Sequence, residues 1–471
     1  MKILVNYNFK EEDIEGRDFH ALYVAKRRDS AFAFAFEDGA GVTMLRDHLG
    51  NVPLFYRKDE RGVSCSIFIE DLLQSGDIID KRGLISYLSF GTAKIASLVK
   101  GIEIVPPGSV INVDKDGEVS TLYTYQFNMQ GKYLREKETV EELDKLMLEA
   151  VRRTVVNEEV GIFLSGGIDS ALVGIYLKKL EIKVNAYTSL PWGEKGTEAE
   201  YAKINAEVVG TENHSLVPLD TSTYCELVQK SGETYGNPTG ITSQIGTISI
   251  FEKSLIGEEQ VFFGQNADTL TCSMPAQYSL FFLGMLPRAI RNALHPWLGR
   301  GDYLSDYLSF VTKGQIIEVP GLRVRTLGMK RYQVLTIAGM LVGHTPSDGE
   351  IFSLPLVKDG KLFSNPFYDM DLIEFFLSRP IDERISFSRE SPIGICFEKK
   401  LFRKLALKHL PRELVFRKKG LTIPFEKDDE SRDFLLSLPK EINGIKLNHT
   451  EERMAADILN KFMTKYSLRF Q

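Results

Sequence analysis

Residues 160–179 read VGIFLSGGIDSALVGIYLKK. An apolar run, Val160–Leu164, stops at Ser165-Gly166-Gly167-Ile168-Asp169-Ser170. Apolar residues then return at helical spacing up to Lys179. The pattern predicts a buried strand, a tight loop and a helix. Two glycines let the backbone turn sharply and approach a ligand without Cβ interference. The helix directs unsatisfied N–H groups back at the loop, and those donors together with the helix dipole favour an anion. Ser165 and Ser170 add hydroxyl donors. Asp169 suits an anion site only if a cation stands between, and Mg²⁺ binds one or two carboxylates plus phosphate oxygens. The stretch therefore reads as a pyrophosphate clamp with a metal. A glycine-rich turn of no special purpose explains the glycines but not the acid and the two hydroxyls. The spacing is neither that of a Walker loop nor that of a Rossmann fingerprint.

Outward from this loop, strand-like runs alternate with helices. VGIFL, KVNAYTSL, TENHSLV and QVFFG are the strands; Ala171–Lys179, Thr197–Val209 and Ser243–Lys253 are the helices. This alternation predicts a parallel sheet with helices on both faces. From Thr271 onward the pattern is mostly helical, with few strong strands. Upstream, helical periodicity at Val140, Leu143, Leu146, Met147, Ala150 and Val151 follows a polar linker, Asn128–Glu138. Before the linker, short apolar runs (MKILVNY, FAFAFED, GVTMLRD, PLFYRKD, VSCSIFI, GSVINVD) are separated by turns, with one helix around Lys81–Leu88. The expected fold class is α/β: a parallel-sheet domain over 139–471, preceded by a smaller β-rich, sandwich-like domain over 1–127.

Composition bounds the rest. A chain of 471 residues suggests two or three domains at roughly 150 residues each. A net charge of -6 and the lack of a long basic run argue against nucleic acid as a partner. Cys65, Cys225, Cys272 and Cys396 lie far apart, so no zinc knuckle or iron–sulfur pattern exists, and so few cysteines fit a reducing compartment. No run approaches the ~18 apolar residues of a membrane span, and MKILVNYNFKEEDIEG lacks the features of a signal peptide. The expectation is a cytoplasmic protein with no membrane partner.

SGGIDS resembles the pyrophosphate loop of the ATP pyrophosphatases (adenine nucleotide alpha hydrolase-like proteins). Its flanks resemble the asparagine synthetases and their relatives, the β-lactam synthetases and lasso-peptide cyclases. GTEAEYAKINAEVVGTENHSL resembles the family segment after the second strand, with Glu200, Tyr201, Ala202, Gly210, Thr211 and His214 in place. QVFFGQNADTL resembles the second phosphate-side loop through Gly264 and Asp268, SNPFYDMDLIEFF the Pro-Phe-Leu-Asp segment, and LPRELVFRKKGLTIP the C-terminal lysine segment, with Lys418 two residues before Gly420. RDHLGNVPLFY and YLSFG…KGIEIVPPGSVI resemble parts of the family's N-terminal glutaminase domain. The similarity covers most of the chain, in order.

The resemblance implies an ATP-dependent, AMP-forming amide ligase. A small-molecule or peptide carboxylate becomes an acyl-adenylate, and ammonia or another amine displaces AMP. It implies ATP and Mg²⁺ as cofactors. Ser165, Gly166, Gly167, Asp169, Ser170 and Gly264 would line the phosphates; Thr188, Ser189 and Leu190, with Tyr187, would flank adenine and ribose. Asp169 and Asp268 would hold the metal, and Lys418 would offset charge at the α-phosphate. Lys418 as a solvated member of the run Arg417-Lys418-Lys419 is the plain alternative. His214 reads as a packed strand-end histidine outside the site.

The chain also departs from the family. Glutamine-hydrolysing members begin with a nucleophilic cysteine; here position 2 is Lys2 and the first cysteine is Cys65. The expectation is an inactive, truncated glutaminase remnant, with a misassigned start codon as the rival. Gln265 and Thr269 stand where the family carries Glu, and Leu362 and Ser364 where it carries Glu and Arg ahead of Pro366. A glutamine cannot act as a general base at neutral pH. Amine activation thus differs, while the adenylating groups are present. The alternatives are a glutamine-dependent asparagine synthetase whose glutaminase is lost or sits in a partner, a tRNA-modifying enzyme that adenylates a base, and a non-catalytic scaffold. A homodimer or a separate glutaminase is the expected protein partner.

Overall fold

The computed structural model describes residues 2–5, 18–25, 31–92, 96–128, 134–191, 197–234, 236–240, 245–253, 255–271, 344–388, 396–416, 429–447 and 450–470, with short pieces between 316 and 341. The first 125 residues build two antiparallel sheets. Strands β1 (Lys2–Val5), β2 (Ala33–Asp38), β3 (Gly41–Arg46), β8 (Ser109–Val113) and β9 (Val119–Thr124) form one in that order. β5 (Gly62–Ser66), β4 (Phe55–Asp59) and β7 (Ile102–Ile104) form the other. Helix α1 (Phe19–Ala25), the short strand β6 (Ile78–Ile79) and helix α2 (Lys81–Phe90) complete this region. Asp80 caps α2, accepting from the backbone N–H groups of Arg82 and Gly83, and Gly91 ends it in the left-handed conformation.

Helix α3 (Glu136–Thr154) opens the second region and buries Leu143, Met147, Ala150 and Val151, the stripe its periodicity predicts. Beyond it lies a five-stranded, all-parallel sheet. Its strands are β10 (Glu159–Phe163), β11 (Lys183–Pro191), β12 (Asn213–Leu219), β13 (Gln260–Phe262) and β16 (Leu362–Ser364), in the order β12-β11-β10-β13-β16. Between them run α4 (Ile168–Lys179), α5 (Thr197–Val209), α6 (Thr221–Thr234), α7 (Ile245–Glu252), α8 (Ala267–Leu270), the hairpin β14 (Ile316–Val319) and β15 (Leu322–Arg325), and α9 (His344–Lys358). Four of the five strands are those predicted. The fifth, β16, is three residues long and was not expected in the helical half. α10 (Met370–Ser378), α11 (Ile381–Arg384), the hairpin β17 (Ile385–Ser388) and β18 (Cys396–Lys399), α12 (Lys400–Ala406) and α13 (Arg412–Val415) follow. The chain closes with α14 (Asp429–Ser437), the hairpin β19 (Glu441–Ile442) and β20 (Ile445–Lys446), α15 (Thr450–Lys465) and β21 (Arg469–Phe470).

The strand order sets where a ligand can sit. The chain lays β11 and β12 on one side of β10, then returns to lay β13 and β16 on the other. The loops after β10 and β13 leave in different directions, opening the crevice where parallel sheets bind ligands. Helix α4 is apolar all round because it is enclosed: Ser170–Leu177 are all buried, and α4 packs against α3, α5 and α12.

The two regions are tied together. One hydrophobic core runs from Leu22 and the β2/β3 strands through the parallel sheet to Val415. β21 pairs parallel with β6, Arg469 opposite Ile78. Tyr87 Oη donates to the Ala455 carbonyl at 3.0 Å, and the Ile69 N–H donates to Asn237 Oδ1 at 2.7 Å. Buried Glu374 accepts from Tyr125 Oη and the Asn128 N–H, both at 2.8 Å. Among the described residues no helix is long and apolar enough to cross a membrane.

Candidate functional site

The Ser165–Ser170 loop joins β10 to α4 at the switch point. Gly167 is the N-cap of α4 and supplies no side-chain cap, so the first-turn N–H groups point toward the loop. Two serines shape the turn from within. Ser170 Oγ accepts from the Ser165 N–H at 3.1 Å, and Ser165 Oγ accepts from the Gly167 N–H at 3.0 Å; the two hydroxyls lie 3.2 Å apart. Ser165 is exposed, whereas Ser170 is buried.

Asn205, on α5, braces the loop from below. Its Nδ2 donates to the carbonyls of Ser165 (2.9 Å) and Gly167 (3.3 Å), turning both oxygens away from the side on which an anion would bind. The side chain is 1% exposed, and its Oδ1 is buried without a hydrogen-bond partner among the described residues. The sequence offered no sign of this role, since Asn205 sits mid-helix in an amphipathic run.

The second loop, after β13, comes close to the first. A Cβ on Gly264 would lie 2.7 Å from Ser170 N and 2.9 Å from Ser170 Cα, so only glycine allows this approach. Asn266 then takes a left-handed φ of 73°, which asparagine tolerates, and its Nδ2 donates to the Phe367 carbonyl at 2.9 Å. Asn365 Nδ2 donates in turn to the Gln265 carbonyl at 3.1 Å. The loop is thereby held against the segment that follows β16, and Asp268 is turned toward Asp169. Between these two carboxylates stands a group that sequence reasoning missed. Lys399 Nζ pairs with Asp169 and lies 2.8 Å from Asp268 Oδ1. Burial works against its charge, but the two carboxylates prevail and hold its pKa above the usual lysine value. Lys399 comes from the end of β18, inside FEKKLFRK, where a lysine reads as one more solvated charge.

The strand-end residues behave differently from one another. Thr188 is buried, its hydroxyl donating to the Leu164 carbonyl and meeting His214 Nε2 at 2.8 Å; Leu190 is buried too. Burial, then Lys203, pushes the pKa of His214 down, so the ring is neutral near pH 7. Ser189 is partly exposed, and its Oγ is buried with no hydrogen-bond partner among the described residues. A Cβ on Gly246 would lie 2.8 Å from that Oγ, so α7 backs onto this wall closely. Lys418 lies outside the described residues. Ser364 accepts from Gln260 Nε2 at 2.8 Å and is buried, and Thr269 is buried, so neither points a free acid or base at the crevice.

Two family models match the chain in the order of its two regions. Residues 22–125 match a glutamine amidotransferase domain, and residues 142–309 match asparagine synthase. Both regions are therefore similar to the corresponding regions of asparagine synthetases. Among curated proteins it is similar to the glutamine-hydrolysing asparagine synthetase 1 of Bacillus subtilis, 28% identical over 177 residues, which is 36% of this chain and 28% of that one. It is also similar to the glutamine-hydrolysing asparagine synthetase of Gallus gallus, 27% identical over 274 residues, 52% of this chain and 46% of the relative. The chain thus spans less than half the length of each of these relatives. Among solved structures, an NH3-dependent NAD synthetase from Campylobacter jejuni overlays 38% of this chain and 83% of its own at 18% identity, with a TM-score of 0.22, too loose to carry a fold assignment. The region matched by the asparagine synthase model contains the parallel-sheet switch point at which Asp169 and Asp268 both meet Lys399.

Proposed function

We propose that this protein is an ATP-dependent, AMP-forming amide ligase of the asparagine synthetase type that joins a carboxylate to ammonia or another small amine. The observation that carries the reading is the convergence of Asp169 and Asp268, from the first turns of α4 and α8 at the switch point, beside a glycine-lined helix N-terminus. Those residues fit the groups the family implies. Two carboxylates that meet one ammonium are suited to a cation, and Gly264 lets the second loop close against the start of α4, where a Cβ would strike the Ser170 backbone. Asp169 and Asp268 would hold Mg²⁺, whose chemistry is to offset charge on phosphate oxygens. The α4 N–H groups and Ser165 would bind the pyrophosphate end of ATP. Asn205 keeps the loop carbonyls from opposing that charge. Ser189 would line the ribose or adenine wall. Lys418 would stabilise charge developing at the α-phosphate.

The nitrogen donor is ammonia or an amine of the substrate. In the region that matches the amidotransferase model, the only cysteine is Cys65. It is 8% exposed, and burial pushes its thiol up to about 11, whereas a nucleophilic cysteine needs a lowered pKa. The deciding experiment is pyrophosphate release from ATP across a panel of amino acids and short peptides, with ammonia and glutamine compared as donors. Release that depends on a carboxylate and proceeds with ammonia supports the ligase reading. No release with any member, or glutamate formed from glutamine by this chain, would sink the corresponding half of it.

A further inference from the structure

Three carbonyls border the phosphate loop, and each is held by a side chain from outside it. β10 pairs with β11 in register as far as Phe163 and Tyr187, and the Leu164 N–H then donates to the Tyr187 carbonyl at 3.0 Å. One step further, the Thr188 hydroxyl donates to the Leu164 carbonyl, so a side chain extends the hold to the last residue before Ser165. Asn205 Nδ2 holds the other two carbonyls, that of Ser165 at 2.9 Å and that of Gly167 at 3.3 Å. Thr188 is itself held. The register sets Ala186 opposite His214, so Thr188 and His214 share a face of the sheet, and His214 Nε2 lies 2.8 Å from the Thr188 hydroxyl. A hydroxyl has a single proton, and this one goes to Leu164. Toward His214 it can only accept, so the neutral imidazole carries its proton on Nε2. Thr188 is 4% exposed, and its hydroxyl is engaged on both sides within the fold.

We infer that Thr188 and His214 are positioning residues that, with Asn205, set the phosphate loop before a nucleotide arrives, and that Thr188 acts through the Leu164 carbonyl without touching the nucleotide. This deepens the nucleotide-site reading and rests on it for the identity of the anion. It also moves Thr188 from the adenine and ribose wall to the support beneath the loop. The reason is the direction of the backbone. In a trans peptide the carbonyl and the next N–H point opposite ways, so fixing one aims the other. Holding the Leu164 carbonyl aims the Ser165 N–H at Ser170 Oγ, which accepts from it at 3.1 Å. Holding the Ser165 and Gly167 carbonyls turns the N–H groups of Gly166 and Ile168 away from Asn205. A loop fixed in advance loses less conformational freedom when an anion binds, so the anion binds more tightly. His214 contributes by keeping Thr188 in the rotamer that faces Leu164. Threonine is stiff at χ1, and a second partner narrows its choice further.

The test compares calorimetric binding of inorganic pyrophosphate and of ATP, each with Mg²⁺, to the full chain. Pyrophosphate has no base and no ribose. A residue on the nucleotide wall therefore affects ATP alone, whereas a residue that sets the loop affects both ligands. Thr188→Val keeps the shape and removes the hydroxyl, and is expected to weaken both ligands about three- to tenfold, the scale of one hydrogen bond. Thr188→Ser keeps the hydroxyl and should bind both nearly as the wild type does. His214→Phe should weaken both by a smaller factor, while His214→Gln, whose amide can still donate, should resemble the wild type. Thr188→Val combined with His214→Phe should be no worse than Thr188→Val alone, because His214 acts through the threonine. Thr188→Ala is the second variant should the valine one not fold. A Thr188→Val chain that loses ATP affinity but binds pyrophosphate like the wild type puts Thr188 against the nucleotide and overturns the inference. Unchanged binding of both ligands overturns it too, and full additivity of the two substitutions removes His214 from it. The readout does not involve turnover. A wild type that binds neither ligand ends the nucleotide-site reading and this inference together. A chain that shows the expected losses but releases no pyrophosphate with any carboxylate loses the ligase reading alone.

Discussion

Helix α4 carries a cluster of acids and lysines at each end, and the two clusters are built oppositely. At its N-terminus two acids, Asp169 and Asp268, both pair with Lys399. At its C-terminus one acid, Asp144 of α3, is surrounded by donors. Tyr176 Oη donates to it at 2.7 Å, His409 Nε2 lies at 3.1 Å, Lys179 at 3.6 Å, and Lys408 pairs with it as well. Burial opposes the charge of Asp144, yet these donors hold its carboxyl well below the usual carboxylate range. Cations also belong at a helix C-terminus. The cluster around Asp144 has more donors than its acid needs and so fastens α3, α4 and the segment after α12 together. The cluster around Lys399 instead brings two acids from distant segments to one point beside the start of α4, which is the arrangement a cation-binding site uses.

The comparison breaks most clearly at Asp169. Asp169→Asn is expected to lower pyrophosphate release by about 10²–10³-fold or more, the scale for losing one preorganised electrostatic group. Lys399 keeps Asp268 as a partner in that variant, so Tm should move by no more than a few degrees. Turnover close to wild type would remove Asp169 from the site. Lys418→Ala should lower kcat by on the order of 10², with ATP affinity by calorimetry little changed, because a group aimed at developing charge acts in the transition state. Lys419→Ala is its control and should be mild; equal effects would return Lys418 to the solvated run. Gly264→Ala sharpens the contrast sterically. Its Cβ would meet Ser170 N at 2.7 Å and push the two loops apart. A loss of about 1–3 kcal/mol in stability is expected, as for overpacking elsewhere, together with weaker ATP binding. An alanine variant with unchanged melting and unchanged KM for ATP would show that the close approach does not matter.

The sheet and the first loop were legible because their signals are local. SGGIDS interrupts two apolar runs within six residues, and four strands alternate with helices at regular intervals. β16 was not legible: Leu362–Ser364 offers three residues, no β-branched side chain, and a neighbour strand about a hundred positions earlier. Asp268 could be paired with Asp169 only through the family resemblance, since nothing local says that two loops so far apart converge. Lys399 and Asn205 were missed for one reason. Each lies in a helix-like run where its residue type is ordinary, and each matters only through a tertiary contact. The β6–β21 pairing, two residues on each side, is invisible for the same reason.

The smallest effect expected lies at the fastening end of α4. Asp144→Asn removes the charge but keeps an oxygen that can still accept from Tyr176. The carboxylate of Asp144 is 19% exposed, so its ion pairs are partly screened, and a loss of about 1–2 kcal/mol is expected rather than the larger cost of a fully buried pair. Pyrophosphate release should not change, because Asp144 lies at the far end of α4 from the loop. The pH dependence gives the sharper check. A carboxylate whose pKa is lower folded than unfolded contributes fully above its unfolded value, about 3.9 for aspartate, and the contribution fades as pH falls through the folded value. Urea melts of wild type and Asp144→Asn should therefore differ at pH 7, and the gap should narrow at pH 3. His409, whose pKa burial and Lys179 push down while Asp144 pulls it up, weakens the fold as pH falls below its unfolded value of about 6.5, so the comparison is made between pH 7 and pH 3 with His409→Gln as background. A gap unchanged at pH 3 would mean that the donors around Asp144 do not hold it ionised, and the contrast between the two ends of α4 would then rest on the Lys399 end alone.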